Sequence, residues 1–383
     1  MSEQPTISEP GRAYLRLHLA DGVGPITMGR LLERFGDAAS VLSASVGQLR
    51  GVERVGRTIA EAIRQAARSD KADREIELAA EHGVHLLCPE DHAYPRLLKH
   101  IPDGPVCLYV KGRLQERDAV SLAMVGSRKP TYYGMEQARW FAEDLARMGM
   151  TIVSGLAYGV DACAHQAALT GNGRTVAVLG NGLCDVYPPS HRELVERIAE
   201  SGAVISELPM ETIPDGSNFP RRNRIIAGMS LGALIVEGGE RSGAMITARY
   251  ANEYNREVFA LPGRCDSFMS RGPNLLIREG MARLVTGVAD ILDELGEVGQ
   301  ALRCEPIPEP TAAGPASATT VPEVTDNERR TLDALGQDPI PMEMVVDAVD
   351  LPAPEVAAAL TTLQLKRLVK QLPGSSFVRI ARR

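Results

Sequence analysis

The chain has 383 residues, too many for one ordinary core, so two or three domains are expected. Its 44% hydrophobic and 24% charged residues are an ordinary soluble composition, and no apolar run approaches the roughly 20 residues of a membrane span. A net charge of -7 argues against nucleic-acid binding by bulk electrostatics but permits a local basic groove.

The first ten residues are polar and lack the apolar core of a signal peptide, so the cytoplasm is the expected location and no membrane partner is expected. Residues 1–90 read as a helical domain, with amphipathic stretches at Ala13–Leu19, Met28–Phe35 and Arg57–Arg68. Two glycine turns, Gly22-Val23-Gly24-Pro25 and Gly51 to Gly56, each precede a helix and can offer backbone N–H groups to a phosphate. The pattern resembles paired helix-hairpin-helix or SAM-like modules. The second copy departs from it, because Val52-Glu53-Arg54-Val55 separates its glycines and adds a carboxylate. A small packing bundle is the competing reading.

Residues 91–300 form the second predicted domain. From about 115 to 296 strand and helix patterns alternate, which predicts a parallel sheet with crossover helices. Strands are predicted at Ser121–Val125, Thr151–Ser154, Thr175–Leu179, Ala203–Ser206, Ala233–Val236 and Val258–Leu261. Helices are predicted at Met135–Met148, Asp161–Thr170, Arg192–Glu200 and Ala244–Tyr254.

Ligands of open α/β sheets bind at the carboxyl ends of the strands. The first of these strands ends in Gly126-Ser127-Arg128-Lys129. Glycine permits close backbone approach, Ser127 can donate a hydrogen bond, and Arg128 can grip a phosphate in two places. The second strand ends in Ser154 to Asp161, which departs from the dinucleotide fingerprint; Asp161 suits a helix cap and His165 a packed, bonded histidine. The fifth ends in Glu237-Gly238-Gly239-Glu240-Arg241-Ser242-Gly243. Ser242 and Gly243 there suit an anion, which Glu237 and Glu240 oppose, so this loop reads as a wall of the site.

The most informative stretch is Asn218-Phe219-Pro220-Arg221-Arg222-Asn223-Arg224, read as a loop opening an apolar helix. It places three guanidiniums, suited to phosphate oxygens, beside an aromatic ring suited to a nucleobase face. Together they predict a surface that holds a nucleic-acid strand. No catalytic set or metal-ligand cluster stands out, and no cofactor is expected. The six cysteines show no CxxC pair and read as structural.

A linker is predicted over 301–324, rich in Pro, Ala and Thr from 305 onward. Residues 325–383 then read as three short helices and a hairpin turning at Pro373 to Ser376, the order of a winged helix. After Glu355 this tail holds no acidic residue, whereas Lys366, Arg367, Lys370, Arg379, Arg382 and Arg383 all follow.

Met124 to Arg128, Ser154 to Asp161 with His165, Val178-Leu179-Gly180, Ser206-Glu207, Phe219 to Gly228, Ser242-Gly243 with Ile246-Thr247-Ala248, and Pro262-Gly263 occur in the order seen in the DNA processing protein A (DprA/Smf) family. The resemblance covers roughly residues 90 to 295. It implies an extended Rossmann-like domain that binds single-stranded DNA as a homodimer and delivers it to the recombinase RecA during natural transformation. By matching positions, it implies a DNA site lined by Arg128, Arg174, Phe219 and the Arg222/Arg224 pair, and no established catalytic chemistry. A nucleotide-processing enzyme of the phosphoribohydrolase type is the alternative, since Glu237-Gly238-Gly239 loosely resembles the glycine loop of that related fold.

Overall fold

The structure, a computed structural model, describes residues 7–304, 324–336, 339–372 and 374–380. Two compact units emerge: one takes in nearly all of residues 1–307, the other the C-terminal residues from 308.

The first unit opens with six helices: α1 Glu9–His18, α2 Pro25–Phe35, α3 Ala38–Ser43, α4 Val46–Leu49, α5 Arg57–Ala66 and α6 Lys71–Glu81. Both predicted glycine turns lead into helices, with Gly24 capping α2 and Gly56 capping α5. In the second turn the Glu53 carboxylate lies 3.6 Å from Arg30 and 3.8 Å from Arg54, so its charge is met by arginines of the bundle itself.

The sheet elements follow: β1 Val84–Leu87, β2 Leu108–Gly112, β3 Ser121–Val125, α7 Tyr132–Arg147, β4 Thr151–Ser154, α8 Val160–Thr170, β5 Thr175–Val178, α9 Arg192–Ser201 and β6 Ala203–Ser206. Beyond them lie α10 Asn218–Gly228, β7 Gly232–Ile235, α11 Gly243–Glu253, β8 Glu257–Ala260, α12 Arg271–Arg278, β9 Arg283–Leu284, α13 Val288–Glu294 and α14 Glu297–Cys304. Nine strands form one sheet in the order β1-β2-β6-β5-β4-β3-β7-β8-β9. From β6 to β9 every pairing is parallel. β3 to β7 are buried at every residue, as strands covered on both faces must be.

Three strands of this sheet, β1, β2 and β9, escaped the sequence reading. β1 and β2 pair antiparallel with each other, and β2 pairs antiparallel with β6. β1 therefore belongs to the sheet although it falls inside the predicted helical domain 1–90. The bundle core is continuous with this edge, because Leu15, Leu31 and Ile63 share one cluster with Val84, Leu86 and Tyr109.

Helix α14 runs into the start of the predicted linker, and residues 305–323, which hold most of it, lie outside the described residues. The second unit contains α15 Asp326–Ala334, β10 Ile340–Pro341, α16 Met342–Ala348, α17 Ala353–Leu365, β11 Val369–Leu372 and β12 Ser376–Arg379, with a small sheet ordered β10-β12-β11. This is the predicted winged helix; Pro373 of its turn and residues 381–383 are not described. Lys366 is not available for an outside phosphate, since its ammonium bonds both oxygens of the buried Glu328 at 2.8 and 2.6 Å.

Candidate nucleic-acid interface

Strand order reverses at β3, with β4 on one side and β7 on the other. Such a switch point leaves a crevice at the carboxyl ends, because the crossovers depart to opposite faces. Here the crevice is a cleft of about 570 Å³ whose walls are the β3–α7 turn, α10 and the β7–α11 loop. Gly126, Ser127, Arg128, Phe219 and Arg222 all line it, so five of the eight predicted site residues converge.

The Asn218 stretch is helical from its first residue, not a loop. Residues that share a helix face recur at three and four positions. Phe219, Arg222, Asn223 and Ile226 therefore face the cleft, and Arg221 and Arg224 do not line it. Arg221 is exposed on another face. Arg224 is buried and paired with Glu207 and, at 3.5 Å, with Asp103.

Arg174 is not part of the cleft. It stands just before β5, at the amino end of the strands, where Nε lies 2.5 Å from Oδ1 of Asp118. Its other nitrogens donate to the carbonyls of Ser201 and Arg113 and to Oδ2 of Asp118. Both partners are about 95% buried, so this guanidinium is spent on holding strand ends together.

Arg222 is also buried, yet it borders the cleft floor. It donates to the carbonyls of Gly155, at 2.6 Å, and Val178. Burial lowers its pKa to about 10, with the Asp161 carboxylate opposing that shift and Arg128 adding to it, so it stays cationic at neutral pH. Asp161 accepts from the amides of Gly155 and Ala157 at 3.2 and 3.4 Å. Both lie in the loop before α8, whose N-cap is Gly159, so Asp161 braces that loop and is not the helix cap the sequence predicted. Burial raises its pKa, countered chiefly by Arg222. His165 is fully buried with Nδ1 2.6 Å from the Thr175 hydroxyl, as a packed histidine should be.

Arg128 is exposed at the cleft mouth, its guanidinium 5.9 Å from the centre of the half-buried Phe219 ring. Tyr187 lies 5.5 Å from the same ring on a tilted plane. Phe219 lies across Gly180, where a Cβ would stand 2.8 Å from it, so only glycine leaves the ring its place. The sequence reading missed Tyr187 and also Phe268, which lines the opposite wall and is 61% exposed. The signal was present: Phe268 is a lone aromatic in a polar loop after the carboxyl end of β8. Arg241 lines the cleft, whereas Glu237 and Glu240 do not, so the expected repulsion of an anion is weaker than the sequence implied. Lined by Arg128, Arg222 and Arg241 against the single carboxylate of Asp161, the cleft is electropositive in an acidic chain.

No group of three metal-ligating side chains occurs among the described residues. No helix among them is long and apolar enough to cross a membrane. Three cysteines are buried as expected (Cys88, Cys107 and Cys163), but Cys265 is exposed.

Fold and cleft together define a Rossmann-like α/β protein with a cationic, aromatic crevice at its switch point and an appended winged helix. Residues 85–296 match the family described as DNA recombination-mediator protein A, and residues 314–375 match the DprA winged helix domain. The chain belongs to this DprA/Smf family of DNA-processing recombination mediators. Protein Smf of Synechocystis is 36% identical over 94% of this chain and 96% of its own length. Protein Smf of Escherichia coli is 42% identical over 78% of each. The X-ray structure of DprA from Streptococcus pneumoniae superposes with a TM-score of 0.65 at 31% identity, covering 75% of this chain and 98% of that one. A Helicobacter pylori DprA structure, described as showing a single-stranded DNA binding mode, gives a TM-score of 0.50 at 29% identity over 55% and 95%.

Proposed function

We propose that this protein holds single-stranded DNA in the switch-point cleft and, as a non-enzymatic homodimeric mediator, passes it to RecA during natural transformation. The observation that carries the reading is Arg128 poised over Phe219 at the cleft mouth. A guanidinium and a ring at one rim match the two repeating parts of a single strand, its phosphates and its base faces. The relatives named for DNA processing, and the H. pylori protein described with single-stranded DNA, support the same ligand.

The phosphoribohydrolase-type alternative is weaker. Its glycine loop is Gly238-Gly239, and in this chain the edge of the Phe268 ring abuts Gly239. Asp161, the one carboxylate on the cleft, is engaged by two amides.

The test is fluorescence anisotropy with oligo-dT and a duplex of equal length over a salt series. Tighter single-strand binding is expected, with log K falling by about 0.7 per phosphate contact for each decade of salt. Equal binding of both, or none, would overturn the reading. Release of free base from nucleoside monophosphates would favour the enzyme instead. For the later steps, a monomer at micromolar concentration removes the dimer, and unchanged RecA nucleation on the oligonucleotide removes delivery.

A further inference from the structure

The β7–α11 wall faces the Arg128–Phe219 rim across the cleft, and the proposed function makes no use of it. The outer edge of the Phe268 ring meets Gly239, where a Cβ would stand 2.7 Å from Cζ. The Arg271 guanidinium is 5.8 Å from the ring centre. This repeats the arrangement of the first rim, where Phe219 lies on Gly180 with Arg128 beside it. A cleft-lining phenylalanine left 61% exposed, with its edge against a glycine, keeps ring surface open to a ligand.

Beside it begins α11, an 11-residue helix whose first amides have no partners within the helix and carry its positive end. Ser242 is its N-cap, but the side chain makes no capping bond. The Ser242 and Thr247 hydroxyls are both buried without a hydrogen-bond partner among the described residues, and both residues line the cleft. Thr247 is only 1% exposed. The carbonyl one turn before it, on Gly243, instead accepts from Asn223 Nδ2 at 3.1 Å. Two orphaned hydroxyls, Ser242 at the N-cap and Thr247 one turn into the helix, need a partner, and a phosphate oxygen is the acceptor that a helix N-terminus favours.

We infer that this wall is a second nucleotide subsite, in which Phe268 stacks on a base and the α11 N-terminus, with Ser242 and Thr247, holds its phosphate. The inference rests on the single-strand reading. It places a ring and a phosphate grip on each side of the cleft.

The test uses the full chain and oligo-dT, with Phe268→Ala, Phe268→Leu, Thr247→Val and Phe219→Ala. Phe268→Leu keeps the apolar contact with Gly239 and removes the π face. Both Phe268 variants should bind roughly 5- to 150-fold more weakly, and the deficit should vanish on an abasic strand. Thr247→Val should bind roughly tenfold or more weakly on either strand and also melt at a higher temperature, because it deletes a buried hydroxyl that lacks a partner. Opposite signs in affinity and stability are not produced by a merely structural threonine. If the Phe268 and Thr247 variants bind like the parent while Phe219→Ala does not, the wall is no subsite and the single-strand reading stands. An equal Phe268 deficit on the abasic strand overturns the stacking. Failure of the parent to bind oligo-dT removes both proposals.

Discussion

The Arg128 guanidinium sits 5.9 Å from the centre of the Phe219 ring, joining the turn after β3 to the first turn of α10. A cation over a ring face holds both side chains at the rim and leaves the guanidinium edge free for a phosphate. Arg128→Ala is expected to weaken oligo-dT binding and to lower the salt slope by about 0.7. Anisotropy at several salt concentrations reads both. An unchanged slope in a folded variant would take Arg128 out of the site.

Arg174 makes the contrasting prediction. Its substitution by alanine leaves Asp118 as a buried carboxylate without its cation, a change that costs about 3–5 kcal/mol in comparable pairs. Arg174→Ala should therefore lower the urea midpoint sharply while the folded fraction binds DNA as the parent does. A selective loss of binding at unchanged stability would return Arg174 to the DNA site.

Two buried histidines set a pH dependence. Burial, with Arg222 adding to it, pushes His165 down from 6.5 to about 3; burial pushes His18 down to about 4 against a bond from its surroundings that raises it. Below pH 6.5 the unfolded chain takes up protons that the folded chain refuses. Stability is then full above about pH 7 and falls as pH drops from 6.5 toward 4, by up to about 1.4 kcal/mol per pH unit for each histidine. Asp161, raised by burial, works the other way at the low end of that window. His165→Gln keeps Asp161 and should reduce the slope by about one proton. Denaturant titrations at pH 5 and 7.5 compare the two proteins, and identical slopes would refute the assignment.

The winged helix predicts little for DNA. A helix that reads base edges needs polar or basic groups near its start. α17 exposes Pro354, Glu355 and Ala358 there, and Leu365 is 80% exposed at its end. Removing residues 305–383 should leave most single-strand affinity in place. A large loss in a truncated chain that is still folded would assign the module a direct role.

The parallel strands β3 to β8 were legible because each is a short apolar run between turn residues, and Ser121–Val125, Thr151–Ser154 and Ala203–Ser206 fall where the pattern puts them. β1 and β2 were not, because neither is joined to its neighbour by a crossover helix, the feature that made the alternation readable. Within the site, residue type was legible and direction was not. Arg222 and Arg224 look equivalent in sequence, yet helix phase sends one to the cleft and the other to Glu207. Phe268 gives no periodic signal, since its position depends on Gly239, 29 residues earlier in the chain (268 minus 239).

The antiparallel β1–β2 pair has a consequence for how the N-terminal bundle can be handled. Tyr109 of β2 and Leu15 of α1 are fully buried in one shared cluster. The bundle is thus not a detachable module, and it should melt with the sheet in a single cooperative transition. A fragment starting at residue 91 would strip β1 away and leave β2 as a bare hydrogen-bonding edge, an invitation to aggregate.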